Sequence, residues 1–130
     1  MCTDDKKNEH LLASAVYADD FKRVKKILSE NPDLDLNKMM HAYAGKRGNG
    51  TPLVLAGTKE VAALLLSSDA NINEVCSLGS VRITALDSAL KELSKEPVKN
   101  SKELLAKRKE LVAYLKKNGA VRYKDLLEAI

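Results

Sequence analysis

Tryptophan is absent from the 130 residues, and one Phe and four Tyr are the only aromatic side chains. A β-sandwich core of this size draws on more aromatic and β-branched residues. The apolar content is mostly Leu, Ala and Val, which suits helices packed closely over small side chains. Cysteine is scarce as well. Cys2 and Cys76 are too few and too far apart for a disulfide framework or a zinc site, so both are expected as reduced thiols. No apolar run approaches the roughly 20 residues of a membrane helix. The opening MCTDDKKNE lacks the apolar stretch of a signal peptide. Cytoplasmic location is the expectation. The alternative is a periplasmic lipoprotein anchored through Cys2, since a cysteine on a short polar tether is also how a mature bacterial lipoprotein begins once its signal is removed. Charge of one sign is also lacking. Lys and Arg number 22 against 18 Asp and Glu, and even in the lysine-rich stretch from Lys91 to Lys124 the residues Glu92, Glu96, Glu103 and Glu110 lie among the bases. That mixture reads as a solvated surface rather than a nucleic-acid footprint.

What is present is helical periodicity interrupted by turn chemistry. A length of 130 residues fits one domain, divided here into a polar tail over 1–8 and a domain over 9–130. Asn8 is placed to cap a helix carrying Leu12, Ala15 and Val16, and Asp19 or Asp20 to cap a second with Phe21, Val24, Ile27 and Leu28, ended by Pro32. After GKRGNG, Thr51 and Pro52 open a helix with Leu53 and Ala56 inward. Gly57-Thr58 turns the chain into another, carrying Val61, Leu64 and Leu65. A third pair starts at Thr84 with Leu86, Ala89, Leu90 and Leu93, is closed by Pro97, and continues in a longer partner carrying Leu104, Leu105, Leu111, Val112 and Leu115 that stops at Gly119. Proline inside a helix costs about 3 kcal/mol, so the spacing predicts two helices over 84–117, with a turn at 94–101. Residues 121–130 read as a short closing helix with Leu126, Leu127 and Ile130 on one side. Three helix pairs at intervals of roughly 35 to 40 residues are the pattern of a repeat array, in which each pair buries its apolar side on the next.

The middle segment, GNGTPLVLAGTKEVAALLLSSDANIN, resembles the ankyrin repeat, whose pattern runs G-x-T-P-L-H-x-A, E-x-V-x-x-L-L and G-A-D-V-N. Gly50, Thr51, Pro52, Leu53 and Ala56 match its first part, Glu60, Leu64, Leu65 and Leu66 its second, and Ala70, Ile72 and Asn73 its third. Val54 stands where the family has His, and Asp69 where it has the helix-ending Gly. The segment is also about three residues short between Ala56 and Glu60, which implies an abbreviated first helix or turn. Residues 10–37 match less closely, with Pro32-Asp33-Leu34-Asp35 set against Ala-Asp-Val-Asn; 82–120 match at both ends and are about fourteen residues too long between. The resemblance implies an all-α ankyrin-repeat solenoid with repeats over 10–37, 49–73 and 82–120 and a C-terminal capping helix over 121–130. It also implies binding of another protein through loops and the concave helical face, by a chain that is monomeric when free. By position it places partner contacts at Lys38, Met39, Met40, His41, Tyr43, Lys46, Arg47 and Asn49 in a first finger, and at Glu74, Cys76, Ser77, Leu78, Val81 and Arg82 in a second.

Catalytic, cofactor and metal chemistry find no foothold in the residues. His10 and His41 sit in no ligand spacing, and Cys76 with His41 has no evident third group to orient it. GKRGNGT holds the ingredients of a phosphate loop in the wrong order, with no strand before it. Leu36, Met39, Met40 and Tyr43 recur at i, i+3, i+4, i+7, the spacing of an extra helical turn, and either pack on the neighbouring repeat or form adaptable contact surface. The expectation is therefore a binding protein and not an enzyme, alternatively a small immunity or inhibitor protein for a cognate toxin, or a structural adaptor.

Overall fold

The computed structural model describes residues 2–43, 47–78, 80–95 and 101–128, with backbone alone at 2–7, 41–43, 47–49 and 78. Helices are α1 (Cys2–Tyr17), α2 (Phe21–Glu30), α3 (Pro52–Leu55), α4 (Lys59–Ser67), α5 (Ala85–Leu93), α6 (Lys102–Lys117) and α7 (Tyr123–Glu128). Two antiparallel hairpins separate the helix pairs: β1 (Met40–Tyr43) with β2 (Arg47–Gly50), and β3 (Cys76–Leu78) with β4 (Val81–Ile83). The described residues are mostly helical, so the all-α expectation holds in the main and omits the hairpins. Helices α1, α3 and α5 pack in succession and each touches a hairpin strand, whereas α2, α4 and α6 pack in succession behind them. A hairpin-side layer and a back layer result.

The helix starts follow local chemistry. Asp20 accepts from the Arg23 N–H at 3.3 Å, Thr58 from Val61 at 3.4 Å and Ser101 from Leu104 at 3.2 Å, each satisfying a donor that the first turn leaves free. Thr84 and Asp87 form a reciprocal capping box at α5. The ends recur too. The N–H groups of Asp20, Ala70 and Ala120 donate to the carbonyls of Ala15, Leu65 and Leu115 at 3.0, 3.1 and 2.9 Å, closing α1, α4 and α6 in one motif. That motif needs a left-handed residue before the donor, and Asp19 (φ 56°), Asp69 (φ 73°) and Gly119 (φ 93°) supply it. Two of the three positions thus hold aspartate where glycine is unstrained.

α5 and α6 are separate helices packed on each other, as the proline requires, although Pro97 itself lies outside the described residues. α3 is only four residues long, which is where the shortened middle segment shows. The space beside its end is taken by Arg108 of α6, whose guanidinium donates to the Gly57 carbonyl and lies 4.0 Å from the Asp19 carboxylate. Any Cβ at Gly57 would collide with that guanidinium. Burial pushes the Asp19 carboxyl above its ordinary value, against the opposing pull of Arg108 and the Gly57 N–H.

Three sequence expectations are corrected. α1 begins at Cys2, so the polar stretch 1–8 is not a separate tail over its described part; Asn8 lies within the helix and donates to Asn31 Oδ1 at 2.9 Å instead of capping. Leu36, Met39, Met40 and Tyr43 form no helical turn, because Met40–Tyr43 is a strand. The spacing of four apolar residues is too short a sample to separate a helix from a loop running into a strand. In the first segment, Asn37 rather than Asp35 is the counterpart of Asn73: the Asn37 N–H donates to Asp35 Oδ1 at 2.9 Å as the Asn73 N–H donates to Asn71 Oδ1 at 3.1 Å. α7 buries none of its residues; Leu127 is 54% exposed, and Ile130 falls outside the described residues.

Candidate interaction surface

The two hairpins stand on a polar seam that repeats along the molecule. Asn37 Oδ1 accepts from the Asn71 N–H at 2.7 Å and its Nδ2 donates to the Asp69 carbonyl at 3.4 Å. One unit further on, Asn73 Oδ1 accepts from the Val121 N–H at 2.9 Å and its Nδ2 donates to the Gly119 carbonyl at 3.2 Å. Each asparagine therefore holds the two backbone groups that follow the next back-layer helix, groups the helix itself cannot satisfy. Further ties reinforce the stack, with Ser88 Oγ donating to the Val54 carbonyl at 3.1 Å and Thr84 Oγ1 to the Val121 carbonyl at 2.7 Å. Asn73 matches the repeat pattern in sequence, but the groups it bonds lie 46 and 48 residues away. The identical Asx turns at Asp35-Leu36-Asn37 and Asn71-Ile72-Asn73 were the signal that pairs it with Asn37.

At the far end Asp87 closes the stack. Burial pushes its carboxyl up, yet the N–H groups of Thr84 and Tyr123, the Arg122 guanidinium and the Thr84 hydroxyl together outweigh burial and hold it below its ordinary value. A lowered folded pKa means that the stabilisation is present above the unfolded value near about 4 and is lost as pH falls through the folded value. Asp87→Asn is expected to lose about 1–2 kcal/mol at pH 7 and to match the wild type near pH 2. Urea midpoints of both proteins at the two pH values check this; an equal difference at both would refute the ionic role.

On this frame the candidate contact residues divide. In β1 and β2, His41 faces Asn49 and Tyr43 faces Arg47 across the ladder. Their side chains, and Lys46 altogether, lie outside the described residues. Lys38 is exposed and pairs with Glu9 at 2.6 Å. Met39 is 37% exposed. Met40 is 2% exposed and belongs to the core, which corrects its assignment as a contact. Cys76 is corrected likewise. It is fully buried, its thiol hydrogen points to Met39 Sδ at 3.0 Å, and burial pushes its pKa up, so it is a protonated packing residue at neutral pH. Glu74 is half-buried with its N–H on the Asn71 carbonyl. Ser77 and Arg82 are exposed opposite each other, and Val81, opposite Leu78, is 55% exposed. Because β2 packs on β3, the hairpins form neighbouring parts of one surface. A hollow of about 400 Å³ is lined by the Glu9–Lys38 pair and by Glu30, Asp33 and Asp35. Among the described residues no group of three His, Cys, Asp or Glu is arranged to hold a metal ion. No described helix is long and apolar enough to cross a membrane.

Comparison of the chain with family models, with curated proteins and with solved structures finds no match in any of the three.

Proposed function

We propose that this chain is a short ankyrin-type repeat scaffold that acts by binding a protein partner through its two hairpins and the helices beside them, and not by catalysis. The reading is supported by the two helical layers, by hairpins between the helix pairs and by the asparagine bridge that recurs from unit to unit. The observation that carries the binding role is the exposure of Val81 on the second hairpin and of Met39 just before the first, with Arg82 and Ser77 beside Val81. Apolar side chains left in water next to an arginine on a rigid frame are the usual make-up of a protein contact. Replacing Val81 by a photoreactive amino acid should crosslink the partner in the native cell. Val81→Asp with Arg82→Glu should then weaken that partner at least about tenfold while the melting temperature holds, as the loss of a central contact does. A partner whose footprint avoids both hairpins would overturn the reading.

A further inference from the structure

The near balance of charge along the sequence conceals a separation between layers. In the back layer, α2 carries four basic residues against Glu30, α6 six against Glu103 and Glu110, and α4 has Lys59 against Glu60. In the hairpin-side layer α1 and α5 each have one more acidic than basic residue and α3 has neither, and the hairpin strands add only Arg47 and Arg82. Lys and Glu alternate in the chain, but folding sends most of the lysines to one side. Those of α2 and α6 are exposed. Glu103 and Glu110 offset Lys107 at 3.8 Å and Lys59 at 3.6 Å, and bases still outnumber acids on α2 and α6.

We propose that this back layer binds anionic lipid surfaces, holding the protein against a bilayer through α2 and α6 with the hairpins on the opposite side. Nine of its eleven basic residues are lysines, and one of the two arginines, Arg108, is turned inward to Gly57 and Asp19. Lysine is a hydrated point charge without the planar fork that reads fixed phosphates, and it is depleted at protein interfaces. A duplex presents phosphates at set spacings and is gripped by arginine and lysine together with amide and hydroxyl donors and an element entering a groove. Lipid headgroups move laterally and gather beneath a broad field, so lysines spread over separate helices suffice. Phe21, 40% exposed at the start of α2, supplies an apolar ring of the kind that interfacial helices bury at the boundary of headgroups and acyl chains.

Co-sedimentation of the full chain with phosphatidylcholine vesicles, alone and with roughly 30% phosphatidylglycerol, tests this at low salt. The bound fraction should rise at least about tenfold on the anionic vesicles and collapse near 0.5 M salt, where screening shortens to a few ångströms. The triples Lys22→Gln, Lys25→Gln, Lys26→Gln and Lys109→Gln, Lys116→Gln, Lys117→Gln should each weaken binding, and together reduce it to the level of neutral vesicles. Lys91→Gln, on α5 in the hairpin-side layer, should leave vesicle binding unchanged. All six lysines are exposed, and circular dichroism checks that each variant keeps its helices; should the combined variant unfold, the separate triples decide. No enrichment on anionic vesicles, unaltered binding by folded triples, loss of binding with Lys91→Gln, or preference for a DNA duplex at equal phosphate concentration would overturn the proposal.

Discussion

Leu65→Ala is expected to destabilise the entire described fold by about 2–5 kcal/mol in a single transition, the cost of deleting a fully buried leucine and leaving its cavity unfilled. Leu65 is completely inaccessible to water, sits in α4 between the two other back-layer helices, and its carbonyl receives the Ala70 N–H that closes the helix. Truncation therefore loosens contacts toward both neighbours at once. Leu127 provides the control: it is 54% exposed on α7, and Leu127→Ala should stay within about 0.5 kcal/mol. Urea denaturation followed by circular dichroism measures both. An unchanged midpoint for Leu65→Ala, or two separate transitions in the wild type, would show that the helix pairs do not share one core.

The features legible in the sequence are those set by chemistry within a few residues. Thr51-Pro52, Thr58, Thr84 and Gly119 mark helix ends because a side-chain oxygen, a fixed φ or a permissive φ acts on its own turn. The buried faces of the helices followed from spacing, and Val24, Ile27, Leu53, Val61, Leu65, Leu86 and Leu111 are all in the core. Features that depend on contact between distant segments were not legible. Asp35 and Asn37 are both plausible turn residues, and only the Asp69 and Asn71 backbone groups decide which one bridges. Arg108 reads as one more base on a solvated helix until α3 proves too short to cover Gly57. The lysines alternate with glutamates in the chain, and only folding brings the two most basic helices, α2 and α6, into one layer. Met40 and Cys76 were misplaced for a related reason: each stands at the base of a hairpin, where a strand turns its first side chain into the core, while sequence position marks both as loop.

Adjacent methionines should accordingly behave as opposites. Met40→Ala is expected to cost about 2–5 kcal/mol, since the side chain is 2% exposed within the main core, where α1 packs on β1. Met39→Ala should cost under about 1 kcal/mol, because its side chain is already 37% exposed, with its sulfur against the Cys76 thiol. In partner binding the order reverses: Met39 stands at the surface and Met40 reaches a partner only by unfolding the hairpin base. Binding lost through Met40→Ala should therefore return under conditions that restore the folded population, such as lower temperature or a stabilising osmolyte, whereas a loss through Met39→Ala should persist. Thermal melts of the two single variants, followed by binding measured at matched folded fraction, separate the roles. Equal destabilisation by both would mean that Met39 is packed as firmly as its neighbour, and the contact surface would then shrink to the second hairpin around Val81 and Arg82.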